Sequence, residues 1–478
     1  YDIIRQLRST AVAFDKDAKA CYDRMIPSIG VILARGVGMN KSVTTTLATT
    51  TKQMKFHVKT AFGVSPGFFT TTSTVAILGL LQGSAAVGAL WALFSSLLFY
   101  VMNKRFPPTE FQSPRLHRST RRHGEAFVDD VTFWTISSDM TLLQLAPLAE
   151  ARSQVWERIL WVTGGGLELA KGYYYGIQWK WTNTGEPNMC TIAETPDVAI
   201  HLTSEPNRTR QFLIPRQEVT DGKRTLGVRL DPQGNDTNEF KHKIAEGIKL
   251  RSRLLRAPLN RESTRIGFFA MFRQAMEYSL PITCFEQDKC GKIQAKYMPT
   301  FLTKMGINQK TSTAIRSGPM EYGGMEIPEV WTSQISGHNK LCIGHLRKND
   351  LVGETLAIEI DNLQLQAGVP WPVLSRDGAV VRQYIDQCWV SHTWAYNDEY
   401  NLTVRREEAP WLLPQRTGDR FIMEAIADMN ETKAIDLKYA QRSRLFLKVT
   451  TLANITTSDG RTLTTWVTNP DGRNPRPP

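Results

Sequence analysis

Between Ala61 and Asn103 the chain carries no charged residue, and its second half, Val75 to Met102, gathers Leu78, Leu80, Leu81, Leu90, Trp91, Leu93, Phe94, Leu97, Leu98 and Phe99. Such a run must leave water, since burying one large apolar side chain is worth ~1.5–3 kcal/mol. Two environments can take it: a bilayer, which about 20 apolar residues can cross, or the core of a large domain. Gly79, Gly83 and Gly88 interrupt the run, Gln82 and Ser84 sit near its middle, and a basic stretch follows on one side only. These interruptions favour a buried core helix over a membrane span.

The rest of the composition fits that choice. A chain of 478 residues has room for about two or three domains with their own cores. Hydrophobic residues at 41% and charged residues at 22% are ordinary globular values and exclude wholesale disorder. The excess of 58 Lys+Arg over 46 Asp+Glu gives +12 and a pI near 9.4, which favours a polyanionic partner, nucleic acid or acidic membrane. Six dispersed cysteines in a long chain without a signal peptide read as reduced thiols of an intracellular, nuclear or cytoplasmic protein. The chain opens at Tyr1 rather than Met, as a fragment would.

Along the chain, Ala11–Phe14 reads as a short buried strand running into Asp15-Lys16-Asp17, and Ala18–Asp23 turns into a helical pattern through Leu33. Residues 42–73 predict a polar helix and then a loop around Gly63-Val64-Ser65-Pro66-Gly67. Lys104 to His123 is a basic stretch broken by prolines, either a solvated loop or a phosphate contact. Phe127-Val128-Asp129-Asp130 continues through Val131, Phe133 and Trp134, so a strand, turn and strand would place two acids at a tight bend, where they can share a divalent cation. By itself an Asp-Asp pair is most often a solvated turn.

Further on, Pro147 opens a helix to Thr163 that stops at Gly164-Gly165-Gly166. Tyr173 to Trp181 is an aromatic strand, residues 182–224 are a β-rich or irregular insertion, and Thr225–Leu230 is a short strand. From Asn238 a basic amphipathic helix lines one face with Phe240, Ile244, Ile248 and Leu255. The remainder is mixed and mostly helical, with a Pro- and Gly-rich tail from Asn469 expected to be disordered. His338, Cys342 and His345 have ligand-like spacing without a fourth ligand, which points to helix packing rather than zinc.

Taken in order, Phe14-Asp15-Lys16-Asp17-Ala18-Lys19-Ala20-Cys21-Tyr22-Asp23, Gly79-Leu80-Leu81-Gln82-Gly83-Ser84 and Phe127-Val128-Asp129-Asp130 form a series, followed by Gly166-Leu167-Glu168-Leu169-Ala170-Lys171 and Leu226-Gly227-Val228. The series resembles a reverse transcriptase, an RNA-directed DNA polymerase, of the non-LTR retrotransposon type, with group II intron maturases as more distant relatives. The resemblance covers roughly residues 5–345 and is strongest from 11 to 134. Gly88 departs from it, standing where relatives often carry proline, and the segment before Lys171 is shorter than usual. Almost nothing precedes the first motif, so the N-terminal fingers part is expected to be lacking.

The resemblance implies an α+β fold, a right-hand polymerase palm whose antiparallel sheet is backed by helices, over residues 1–235. A helical thumb would occupy 236–345, a C-terminal region of unknown role 346–468, and a disordered tail 469–478. It recasts the uncharged segment as a palm helix entered from the Gln82-Gly83 turn. It implies two Mg²⁺ ions, or Mn²⁺ in their place, held by Asp17 and Asp129 as principal ligands with Asp130 and the Ala18 carbonyl in support. Hard divalent ions prefer carboxylate oxygens, and a pair of them can activate a primer 3′-hydroxyl and neutralise a leaving pyrophosphate. Lys171 would meet that pyrophosphate, Tyr22 would exclude a 2′-hydroxyl, Gln82 and Gly83 would lie against the nascent pair and template, and Leu226-Gly227 would form the primer grip. The implied partners are an RNA template, a DNA primer and dNTPs, with no membrane. The rival expectation is a catalytically inactive reverse-transcriptase-like scaffold that binds RNA.

Overall fold

Thr10–Asp17 (β1) is apolar on both faces, with Val12 and Phe14 on one and Ala11 and Ala13 on the other, and a strand of that kind belongs in the middle of a sheet. The computed structural model describes residues 1–19, 21–72, 79, 87–114, 118–183, 185–203, 210–379, 381–405, 414–429 and 434–468. In it β1 is the central strand of a five-stranded sheet. Gly124–Phe127 (β2), Asp130–Ser137 (β3), Tyr173–Ile177 (β4) and Arg216–Gln217 (β5) complete that sheet in the order β5-β4-β1-β3-β2. All pairings are antiparallel except β4 with β5. The fold is α+β, a small antiparallel-rich sheet in a largely helical chain.

One sheet face, Val12, Phe14, Val131, Phe133 and Tyr174, packs on helices Val87–Arg105 (α1) and Leu142–Val162 (α2). By length and composition α1 could cross a membrane; its Leu90, Trp91, Phe94, Leu98 and Met102 are buried in this core. The opposite face holds Ala11, Ala13, Trp134, Tyr175 and Ile177 against Ile3 and Ile4 of a short helix, Asp2–Leu7, and against Ile358 from far down the chain.

Several elements differ from expectation, each for a local reason. The helical pattern after Ala18 divides into Cys21–Arg24 and Pro27–Gly36, because Pro27 starts a new helix. Pro147 does not open α2: Thr141 caps it six residues earlier in a capping box with Gln144, and Pro147 is accommodated inside the helix. The basic stretch 104–123 is not a free loop. Thr109–Gln112 pairs with Ser119–Arg122, and Arg121 and Arg122 pair with Glu110 at 3.1 Å and Glu125 at 3.2 Å. Arg118 reaches Asp361 at 3.4 Å, so each of these three cations has an ion-pair partner within the chain.

The helix expected from Asn238 is Thr237–Arg256 (α3), rotated from its predicted face: Ile248 and Leu255 are exposed while Leu254, Gly247, Glu239 and Lys243 are buried. Lys243 can face inward because its ammonium meets Glu239 at 3.7 Å and the Ala275 carbonyl at 3.1 Å. With Phe268, Phe285, Phe301 and Trp331, Leu254 forms a second, helical core.

Helices Val330–Lys348 (α4), Leu351–Ala367 (α5) and Trp389–Glu399 (α6) build a third core around Ile360, Leu363 and Trp394. His338 in α4 is a satisfied core histidine, stacked on Trp389 and bonded to Thr393 Oγ1 at 2.8 Å and the Thr283 carbonyl at 2.7 Å. Burial pulls its pKa down to about 4. The tail expected to be disordered, 469–478, lies outside the described residues.

Candidate active site

The site begins with register. The last residue of β1, Asp17, stands directly opposite the first residue of β3, Asp130, so both carboxylates leave the same sheet face. Phe127 pairs with Asp130, which leaves Val128 and Asp129 as the two-residue turn between β2 and β3. Val128 has a φ of 56°, a left-handed conformation that a β-branched residue rarely adopts. The indole Nε1 of Trp91 donates to the Val128 carbonyl at 2.7 Å, the Ala18 amide donates to the Asp129 carbonyl at 2.9 Å, and the Val128 side chain packs on the core. A strained turn carrying Asp129 is thus held from three sides, an arrangement that recurs at functional sites.

The segment Gly166–Lys171 runs alongside. Lys19 donates to the Gly166 carbonyl, Glu168 donates to the Asp17 carbonyl, both at 2.8 Å, and Ala18 bridges Leu167. That path brings the Lys171 ammonium into an ion pair with the Asp17 carboxylate, and its pKa is raised by that hydrogen bond and by the charge of Asp17. Asp130 is also shifted upward, by partial burial and by the negative charges of Asp129 and Asp17, with Lys171 and Arg224 acting against them. Asp17, Asp129 and Asp130 therefore share one electrostatic field. Their carboxylate oxygens do not all lie within 4.8 Å of one another; among the described residues, Asp2, Glu359 and Cys388 form the one group that does. In that group Arg5 pairs with Asp2, so its charge is already balanced.

Asp15 leaves the same face as Asp17 but two residues deeper, where the Thr132 hydroxyl donates to it and burial raises its pKa to about 6. Depth separates the two acids: Asp17 lies at the end of the central strand and Asp15 is buried within it. Tyr22 is half-buried with its ring edge-on to Trp91, centroids 6.0 Å apart, so the indole that fixes the β2–β3 turn also meets this tyrosine. Gly79 lies against the same segment: its amide donates to the Met25 carbonyl at 2.9 Å, and a Cβ there would stand 3.0 Å from Asp23 Cα, at a φ of 116°. Gln82 and Gly83 lie outside the described residues.

Leu226 and Gly227, within one strand by the local pattern and in a hairpin by the resemblance, form the turn of a hairpin between Lys223–Thr225 and Val228–Leu230. Both have positive φ, 50° and 86°, as a two-residue type I′ turn requires. The hairpin hangs from β4: the Tyr173 hydroxyl lies 3.0 Å from Thr225 Oγ1, and the Tyr175 hydroxyl donates to the Asp221 carbonyl at 2.6 Å. On its other side the Tyr278 hydroxyl donates to the Leu226 carbonyl at 2.9 Å. Sequence reasoning missed Trp91, Tyr173, Arg224 and Tyr278. The i, i+2 spacing of Tyr173 and Tyr175 places them on one strand face and was a usable signal; the partners of Trp91 and Tyr278 are tertiary and left no local trace.

The assembled donors are hard oxygens beside two cations, suited to divalent ions and to phosphate. No protein-family model matches the chain, and no curated protein matches it either.

Proposed function

We propose that the chain is an RNA-directed DNA polymerase of the retrotransposon type, a nucleotidyltransferase. The observation that carries this reading is the placement of Asp17 opposite Asp130, with Asp129 in the connecting turn and Lys171 alongside. On it, the sheet and its two backing helices act as the palm, and the helical core after Thr237 as the thumb. The all-oxygen donor set fits Mg²⁺ or Mn²⁺, with Asp17 and Asp129 as principal ligands and Asp130 and the Ala18 carbonyl in support. When bound, such ions lower the pKa of a primer 3′-hydroxyl and neutralise charge on a leaving pyrophosphate.

The chain's own groups have the remaining roles. Lys171, now on Asp17, is free to turn to the pyrophosphate once a cation takes that carboxylate, because its side chain is 69% exposed. Tyr22, braced by Trp91, limits the space at the sugar 2′ position. The Leu226-Gly227 turn, held between Tyr173 and Tyr278, positions the primer end. Gln82 and Gly83 are proposed to lie against the template.

Primer extension tests the reading. With Mg²⁺ and a primed RNA template, the full chain is expected to incorporate dNTPs in preference to NTPs, and Tyr22→Ala to raise NTP use. Absence of incorporation with either cation on any template would favour the alternative, a catalytically inactive RNA-binding scaffold. That alternative draws on Lys171 already engaging Asp17 and on carboxylates that do not converge.

A further inference from the structure

Between Asp23 and Glu110 the sequence contains no carboxylate, while Arg24, Arg35, Lys41, Lys52, Lys55, Lys59, Lys104 and Arg105 all fall within it. Inside this interval, after helix Lys41–Gln53, the chain forms an arm that its own hydrogen bonds hold as a ribbon. Phe56 and Phe69 exchange backbone hydrogen bonds at 2.9 and 3.0 Å, Lys59–Thr60 pairs with Gly63–Val64, and Ser65 donates to the Val58 carbonyl at 2.8 Å. The arm is therefore built, yet its side chains do not build a core. Phe62 at the tip is fully exposed, and Phe68 and Phe69 are about half exposed, at 48% and 56%.

Aromatic area left in water costs about 25 cal/mol per Å², and a cluster of it marks an interaction surface. Here the rings alternate with cations: Lys55 lies 4.5 Å over the Phe68 ring, and Lys59 flanks the tip that carries Phe62. Phe69 stacks one face on Phe56, centroids 5.3 Å apart, and remains half exposed, while Phe62 is open on all sides; such rings beside lysines, with no carboxylate near in sequence, match unstacked bases joined by phosphates. A duplex does not match as well, because its bases already stack on one another.

We propose that this arm binds single-stranded nucleic acid, with Phe62 and Phe69 stacking on bases and Lys55 and Lys59 meeting phosphates. Calling that strand the template rests on the polymerase reading, since the arm leads in sequence toward Gln82-Gly83; the binding itself does not.

The test is fluorescence anisotropy of a labelled single-stranded RNA with the full chain in EDTA, where no synthesis occurs. The variant F62A/F69A is expected to weaken binding about fivefold to a hundredfold, from the stacking of one or two bases. K55Q/K59Q is expected to reduce the slope of log affinity against log salt by about 1.4, from two lost phosphate contacts on a single strand. Tyr322→Ala, an exposed aromatic elsewhere, should leave both unchanged. Equal binding by F62A/F69A and the parent would overturn the proposal. So would unchanged RNA binding combined with loss of sedimentation on phosphatidylserine vesicles, which would make the arm a membrane contact. Asp129→Asn separates the two claims: it should abolish extension and keep arm-dependent binding, whereas a failed arm with intact extension would leave the polymerase reading standing.

Discussion

Lys16 lies between Asp15 and Asp17 in sequence but points to the opposite sheet face, into the apolar core. Its ammonium sits 3.4 Å from the centroid of the Phe133 ring, has no hydrogen-bond partner, and burial drives its pKa well below the ordinary lysine value. A buried polar group without a hydrogen bond costs about 1–3 kcal/mol, against roughly 0.5–2 kcal/mol returned by the ring. Lys16→Met keeps the volume and removes the amine, so chemical denaturation is expected to show a variant equal to or more stable than the parent by about 1 kcal/mol. A clear loss of stability would mean that the cation–ring contact outweighs desolvation. The strand's alternation made this facing legible, since Asp15 and Asp17 share one side and Lys16 takes the other. What alternation hid was depth: Asp15 and Asp17 look equivalent until Thr132 is seen across from one and Asp130 across from the other.

At the scale of elements, the acidic hairpin and its neighbours are legible in local pattern, because β-branched and aromatic runs bounded by turn residues announce strands without tertiary help. Where local signals compete, the local pattern misleads. Thr141 with Gln144 outcompeted Pro147 as the start of α2, and Lys243 turned α3 by finding Glu239 and a carbonyl inside the core. α5 carries Glu359, Asp361, Gln364 and Gln366 in buried positions, and their partners, such as the Val373 amide to Gln364 at 2.8 Å, come from outside the helix. No window of sequence contains that information. The turn at Val128 likewise depends on α1, and Trp91→Phe tests it by deleting one hydrogen bond while keeping the ring packing. It should cost about 1 kcal/mol in stability. Nucleotide incorporation should fall more steeply than that loss explains, because Asp129 moves with its turn. Unchanged incorporation would show that the turn holds without the indole.

Across the whole molecule, the residues after Leu351 brace the sheet unit rather than trail from it. Thr120 donates to Glu354 at 2.8 Å, Arg122 donates to Thr355 at 2.7 Å, Arg8 pairs with Asp386 at 2.7 Å, and the Trp389 amide donates to Asp2 at 2.6 Å. Ile358 covers the Ala11–Trp134 end of the face whose other end carries Asp17 and Asp130, so the open part of that face is the part with the acids. At the centre of the brace is Glu359, whose pKa is raised to about 8 by burial and by the charge of Asp2. A carboxyl that holds its proton more tightly when folded contributes stability present below its unfolded pKa, about 4.3, and lost as pH rises toward 8. Asp15 and Glu157, raised to about 6, act lower in that range. Between pH 6 and 8 Glu359 alone should therefore remove up to about 1.4 kcal/mol per pH unit from the parent, and Glu359→Gln should lose correspondingly less. Urea midpoints at pH 6, 7 and 8 measure this, and parallel slopes would remove Glu359 from the account.

The measurement closest to the central claim is single-nucleotide incorporation by Asp17→Asn, Asp129→Asn and Asp15→Asn, each with its folded state verified by circular dichroism. Asp17→Asn and Asp129→Asn are expected to fall about a hundredfold or more, and Asp15→Asn, whose carboxyl is already tied to Thr132, only a few-fold. Incorporation undiminished in Asp129→Asn, or lost equally in Asp15→Asn, would contradict a catalytic site built on the pairing of Asp17 with Asp130.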